Sequence, residues 1–168
     1  LESMQVTNSF KARGAFNLAV AGLERTPGAH HGLLVTASAG NHGRAMAYAA
    51  ERLGLRLVVF TPKDAPKAKL DHIARHGADL RAVAPTYEDA ETMAKAFASR
   101  EGVTYISPYS HPDIIAGAAT VAVEIVEDWP SVQTIVVPVG GGGLASGVAA
   151  AAKALSADIE TVGVEAAA

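Results

Sequence analysis

Three short segments of the 168-residue chain carry residue types whose spacing could do chemistry. In Ser9-Phe10-Lys11-Ala12-Arg13-Gly14-Ala15 a lysine stands in the first turn of an expected helix. Positive charge there opposes the helix macrodipole, so the amine gives up its proton more easily, and a neutral amine is the form that makes an imine with a carbonyl. A solvated surface lysine satisfies the same local pattern. Ser38-Ala39-Gly40-Asn41-His42-Gly43 follows an apolar run and opens another helix. Its glycines let backbone come close to a ligand, and Ser, Asn and the free N–H groups of a helix start suit an anion such as a carboxylate. An N-capped helix after a tight turn also accounts for that segment. Pro138-Val139-Gly140-Gly141-Gly142-Gly143-Leu144 repeats the order strand, glycines, helix. Four consecutive glycines leave only backbone donors at a helix N-terminus, which favours a phosphate. A dinucleotide competes, because Glu165 ends the next apolar run, but G-x-G-x-x-G fails at Leu144, between Gly142 and Gly147.

These segments must be held by elements, and the pattern of the chain says which. Short β-rich runs alternate with Ala-rich stretches of helical length, as βαβ units do when helices cover a parallel sheet. Strands are expected at 32–37, 56–61, 79–84, 103–106, 134–139 and 161–164, and helices at 10–23, 42–53, 66–76, 87–101, 113–127 and 144–155. Pro66 suits a first helical turn, and Gly54, Gly77 and Gly102 suit helix ends. The expected fold class is open α/β, with parallel sheets and helices on both faces. Each candidate segment then lies just after a strand or opens a helix, and in such sheets ligands bind outside the carboxyl ends of strands. The stretch 107–112 has two prolines and no clear period, and is the expected crossing between lobes.

Composition removes several other functions. A net charge of -3 and 14 Lys plus Arg give no basic field for a nucleic-acid backbone, and 5% aromatic content gives few stacking platforms. Without cysteine there are no disulfides, thiolate metal sites or protein-thiol redox steps. No apolar run approaches the ~20 residues that span a bilayer, and residues 1–5 hold no basic and apolar leader. The reading is a soluble, cytoplasmic protein with neither nucleic-acid nor membrane partner. The chain starts without Met close to its first motif and stops soon after an apolar run, so both ends read as cut.

Taken in order, the motifs resemble a known family. Glu2-x-x-Gln5-x-Thr7-x-Ser9-Phe10-Lys11-x-Arg13-Gly14-Ala15, Ser38-Ala39-Gly40-Asn41-His42, Ile115-Ala116-Gly117 after His111-Pro112, Pro138 to Leu144, and Gly163-Val164-Glu165 are similar to the signatures of fold-type II pyridoxal-phosphate enzymes, in the threonine dehydratase and serine racemase branch. The sister cysteine synthases usually have Thr in place of His42. The resemblance implies a two-lobed architecture, with 1–32 and 111–168 in a large cofactor-binding domain and 33–110 in a small one. It implies pyridoxal 5'-phosphate held covalently by Lys11, with Phe10 near its ring, Asn41 on its ring hydroxyl and Gly140, Gly141, Gly142, Gly143 and Leu144 around its phosphate. Lys11 then also serves as the base for the α-proton, while Ser38, Ala39, Gly40 and His42 line the cleft for the substrate carboxylate. The implied reaction is dehydration and deamination of a small hydroxy amino acid, L-threonine or L-serine, by a homo-oligomer, dimer or tetramer.

This sequence also departs from the family pattern. Members often have Gly at position 8, Gln at 44 and Gln-Gly at 118 and 119, where this chain has Asn8, Arg44, Ala118 and Ala119. These changes bear on substrate preference. In the racemase, position 39 is a serine that reprotonates the opposite face, so Ala39 favours dehydration. Glu165 matches a cation-binding position of the racemase, but any further ligands would fall beyond the end of the chain, so no metal is expected. His72 and His76, four residues apart on one helix, lack a third ligand and read as a solvated face, as do His30 and His31 in a Pro-Gly-rich loop. Other readings remain: a racemase, a hydroxyaspartate or phenylserine lyase, or a non-catalytic α/β module that binds a nucleotide or the cofactor.

Overall fold

The structure, a computed structural model, describes residues 1–25 and 32–167; His30 and His31 lie outside them. After a short 3-10 helix, Glu2–Met4, the elements alternate: α1 (Lys11–Arg25), β1 (Leu33–Ala37), α2 (Asn41–Leu53), β2 (Arg56–Pro62), α3 (Lys67–Ala74), β3 (Asp79–Ala84), α4 (Tyr87–Glu101), β4 (Tyr105–Ile106), α5 (Pro112–Asp128), β5 (Thr134–Pro138), α6 (Gly143–Leu155) and β6 (Glu160–Val164). Strands β3-β2-β1-β4 form one parallel sheet, and β5 pairs with β6 in a second. The class is the α/β fold that the pattern predicts.

The first sheet is filled by the two-residue alternation of its strands. Leu34, Leu57, Val59, Leu80 and Ile106 pack on one face with Ala15 and Leu18 of α1 and Ala45, Met46 and Ala49 of α2. Their neighbours Val35, Ala37, Val58 and Phe60 turn to the other face, against Ala90, Ala94 and Phe97 of α4. The second sheet puts Ile135 and Val137 against Ala122, Val148 and Ala152 of α5 and α6, while Val136 and Val164 are exposed. Gly54, Gly77 and Gly102 take the left-handed conformation just past α2, α3 and α4, where a helix end calls for it.

Several boundaries differ by one or two residues, and two of the differences have a local reason. The strand expected at 103–106 is only Tyr105–Ile106, because the Val103 N–H is spent on the Ala98 carbonyl (2.9 Å), closing α4. The helix expected from 66 starts at Lys67, since Pro66 is an extended cap residue (ψ 126°).

Small residues set how closely the helices cross. A Cβ built on Gly117 of α5 falls 2.5 Å from the Arg13 carbonyl oxygen and 2.6 Å from Gly14 Cα, and one on Gly14 falls 2.7 Å from the Ile114 oxygen. Helices α1 and α5 therefore touch backbone to backbone, which ties the lysine-bearing turn to the second half of the chain. Segments 38–41, 107–111 and 139–143 all leave the carboxyl ends of parallel strands β1, β4 and β5.

Candidate active site

Lys11 is the first residue of α1 and is half-buried. Its Nζ donates to the Pro108 carbonyl at 2.7 Å and lies 5.1 Å from the centre of the Phe10 ring. Burial holds its pKa below the usual lysine value. The direction agrees with the helix-dipole argument, but the cause is loss of hydration, which disfavours the charged amine.

The turn that carries Lys11 is clamped by a residue whose individual role the sequence does not announce. The Arg13 guanidinium is gripped by two carboxylates: Nε and Nη2 donate to Glu2 (2.9 and 2.8 Å), and Nη1 and Nη2 to Glu124 of α5 (2.6 and 2.7 Å). Thr120 Oγ1 accepts a further bond from Nη1 at 2.9 Å. Such paired, forked contacts are the strong kind, and they neutralise the one charge two residues from the Lys11 amine. Just before Lys11, Asn8 takes the left-handed conformation (φ 55°), as the glycine usual there in the family could, and its Oδ1 accepts from Arg44 Nη2 at 3.0 Å. The departures from the family pattern at positions 8 and 44 are thus bonded to each other, joining the Lys11 turn to the helix that starts at Asn41.

The loop 38–43 is built as a donor pocket. Ser38 Oγ accepts from Gly40 N at 3.1 Å, and Arg44 N is the first to bond back into α2, to Gly40 O, so the N–H groups of Asn41, His42 and Gly43 have no partner within the helix. Ala39 and Gly40 are partly exposed and Asn41 is exposed. His42 is placed differently from a cleft-lining side chain, being 3% exposed and turned into the core. There its Nε2 meets Thr36 Oγ1 (3.1 Å), whose own proton goes to the Ile106 carbonyl (2.7 Å). The hydroxyl has only that proton, so Nε2 is the donor and Nδ1 is left as an unprotonated, unpartnered acceptor. On the loop side His42 presents its backbone N–H, which has no partner within the helix.

Burial, and secondly the Lys11 charge, push the His42 pKa down to about 3. Because the neutral form belongs to the fold, its stabilising effect is complete above the ordinary histidine value of about 6.5 and is lost as pH falls toward about 3. Full-length protein compared at pH 7 and pH 5 by denaturant unfolding is expected to lose roughly 2 kcal/mol through this group. A His42→Leu variant is expected to show a flatter profile; equal slopes for the two proteins rule out this role.

The glycine loop has two faces. Gly141 and Gly143 face the crossover: a Cβ on Gly141 falls 2.5 Å from Tyr109 Cγ, and one on Gly143 falls 2.7 Å from the Tyr109 carbonyl. Gly140 and Gly142 face open space, with nothing within 4 Å of their Cβ positions, and Gly142 is left-handed (φ 84°) at the cap of α6. Ser146 N is the first to bond back, to Gly142 O, so the N–H groups of Gly143, Leu144 and Ala145 have no partner within the helix. Tyr109 also lines a cavity of about 430 Å³ with Tyr105, Ser107 and Ser110.

The crossover links two of the three segments, since Pro108 takes the Lys11 amine while Tyr109 covers the glycine loop. Sequence reading gives Pro108 and Tyr109 no role beyond the crossing, because neither a carbonyl acceptor nor a packing ring has a sequence signal. His72 and His76 do not meet at a metal: His76 Nδ1 bonds Glu51 (2.8 Å), and His72 lines a cavity with Asn41, Arg44 and Lys69. Among the described residues, no group of three or more His, Cys, Asp or Glu is placed to hold a metal ion, and no helix is long and apolar enough to cross a membrane.

Parallel βα units, with a half-buried amine and two loops that leave helix-start N–H groups unpartnered, place the chain in the α/β class with open donors beyond the strand ends. The chain belongs to the pyridoxal-phosphate dependent enzyme family, which matches residues 1–168. It is 38% identical over 168 residues to the L-threonine ammonia-lyase of Thermotoga maritima, covering 98% of this chain and 40% of that one. Among solved structures it is similar to a pyridoxal 5'-phosphate-dependent aspartate racemase (TM-score 0.90, 37% identity, 98% of this chain and 49% of that one). It is also similar to maize serine racemase (TM-score 0.88, 34% identity, 98% and 49%). The chain thus spans less than half the length of these relatives.

The cofactor of the family is pyridoxal phosphate, and the residues present fit it. An anion the size of a phosphate has room on the open face of Gly140 and Gly142, beside three free N–H groups. A side-chain-free cradle and a half-buried amine are what the two ends of that molecule require.

Proposed function

We propose that the full-length protein carrying this chain is an ammonia-lyase acting on a small hydroxy amino acid, L-threonine or L-serine, with Lys11 as its catalytic residue. The carrying observation is the Lys11 amine, half-buried and held at the Pro108 carbonyl, beside the crossover residue that covers the glycine loop. When bound, pyridoxal phosphate withdraws electrons from the substrate Cα and so eases loss of its proton. Lys11 holds the cofactor covalently and, once released, takes that proton; burial keeps a share of its amine neutral for both tasks. The N–H groups at the start of α2, with Ser38, Ala39 and Gly40, receive the substrate carboxylate. Asn41 meets the ring hydroxyl, Phe10 packs by the ring, and Gly140, Gly141, Gly142, Gly143 and Leu144 hold the phosphate. The net change converts the amino acid to a 2-oxo acid and ammonia, one water leaving and one entering, with no oxidant needed. Ala39 has no proton to return to the opposite face, which supports elimination over racemisation. A cytoplasmic homo-oligomer, dimer or tetramer, divided at 1–32 with 111–168 and at 33–110, accompanies this reading.

The test is an absorption spectrum of full-length protein with pyridoxal phosphate before and after borohydride, with the reduced adduct located by peptide mass. It is followed by assays for 2-oxo acid and ammonia from L-threonine and L-serine. An adduct on Lys11 and release of both products are expected. An adduct elsewhere removes the lysine assignment, and an adduct without product from any hydroxy amino acid removes the lyase.

A further inference from the structure

We propose that Tyr109 is a positioning residue that backs the tetraglycine loop and sets its distance from the Lys11 amine, so that it governs how tightly the phosphate end of the cofactor is held. The inference rests on the reading of Lys11 and of the glycine loop given above. Three observations lead to it. First, the crossover leaves β4 from a locked point: Ile106 is tied through its carbonyl to Thr36 (2.7 Å), and Thr36 to the buried His42 (3.1 Å). Next, Ser107 Oγ accepts from Tyr109 N (3.4 Å) and Ser110 N (3.2 Å), which folds the next residues into a defined turn. Finally, consecutive residues of that turn touch the two ends of the site. Pro108 O receives Lys11 Nζ, and Tyr109 meets Gly141 with its ring and Gly143 with its backbone.

Close approach on that side explains two of the four glycines without a ligand. A Cβ on Gly141 would sit 2.5 Å from Tyr109 Cγ, and one on Gly143 2.7 Å from Tyr109 O. The other two, Gly140 and Gly142, face open space. The loop is therefore backed by Tyr109 on one side and free to meet an anion on the other. A backed loop cannot retreat when an anion arrives, so its N–H groups are held ready, and preorganised donors bind more tightly than donors that must first be ordered. A molecule gripped at both ends is also sensitive to the span between its grips; a misplacement of about 1 Å can cost a hundredfold. Since the contact at Gly141 is made by Cγ and Cδ1, the ring and not the hydroxyl carries the effect.

The experiment compares full-length wild-type protein with Tyr109→Phe, Tyr109→Leu and Tyr109→Ala. Each is stripped of cofactor and titrated with pyridoxal phosphate and, separately, with pyridoxal, which lacks the phosphate. Binding is read from the visible band and fixed by borohydride at Lys11. The expected result for Tyr109→Ala is a Kd for pyridoxal phosphate raised about tenfold or more, while that for pyridoxal moves less than about threefold. Tyr109→Phe is expected to match wild type and Tyr109→Leu to fall between; if Tyr109→Ala yields no folded protein, the ratio in Tyr109→Leu decides. Equal losses for both ligands, no loss in either, or a Tyr109→Phe variant as weak as Tyr109→Ala each overturn the proposal. Wild-type protein that forms no adduct on Lys11 takes down the reading of the site as well, whereas normal wild-type binding with an unchanged ratio in the variants removes Tyr109 alone.

Discussion

Lys11→Ala in the full-length protein is expected to abolish the visible band of bound pyridoxal phosphate and to lower product formation by at least about a hundredfold, the typical share of a positioned base. The fold should survive. The amine is half-buried with one partner, the Pro108 carbonyl, and its burial already works against its charge. Removing it relieves that cost, so the thermal unfolding curve is expected to move by only about 1 kcal/mol in either direction. The paired readings matter because the Arg13 clamp, not Lys11, holds the turn: Glu2 and Glu124 still grip the guanidinium when position 11 is alanine. A variant with the visible band intact removes Lys11 from its role. A variant that loses the band only because it has unfolded shows instead that the lysine is structural.

The second large effect is expected at Gly117. In Gly117→Ala the new methyl carbon falls 2.5 Å from Arg13 O, 2.7 Å from Arg13 C and 2.6 Å from Gly14 Cα. All three are backbone atoms of α1, so no side chain can swing away and the helices must part. Overpacking of a rigid contact typically costs about 1–3 kcal/mol and occasionally more, and the upper end applies here. The damage should also reach the site, since parting α1 from α5 pulls Arg13 away from Thr120 and Glu124 and shifts Lys11 with it. Cofactor affinity and melting temperature are therefore expected to fall together. Gly22→Ala in the same α1 is the control: among the described residues nothing lies within 4 Å of its Cβ, and exchanging a helical glycine for alanine is expected to stabilise by roughly 0.5–1 kcal/mol. Equal behaviour of the two variants would falsify the backbone-contact account of this crossing.

Much of the frame is legible in the sequence. Alternation of β-rich and Ala-rich runs marks the six strands and six main helices of the described residues, because period-two and period-3.6 burial write themselves into apolar spacing. Errors fell where a backbone group had a competing use. Val103 closes α4 and so cannot extend β4, and Pro66 stays outside α3 because its ψ is extended. The 3-10 helix at Glu2–Met4 has no sequence signal, since three residues carry no periodicity. At the site, the lysine and the two glycine loops stood out because their chemistry is local: an amine at a helix start, and bare backbone before another.

What the sequence by itself determined was the fold class and the identity of the chemical groups, since both follow from residue type and near-neighbour spacing. Tertiary structure alone decided how those groups are held and charged. It lowered the Lys11 pKa through burial, which no linear pattern encodes, and it turned the His42 ring into the core, to Thr36, an orientation the motif does not announce. It paired Asn8 with Arg44, 36 residues apart, and Arg13 with Glu124, 111 residues apart. It also made the crossover the meeting point of the site, through a carbonyl at Pro108 and a ring at Tyr109. Those contacts depend on how two sheets and their helices pack, and packing is a property of the whole chain in three dimensions, whereas a motif reports only what lies within a few residues of itself.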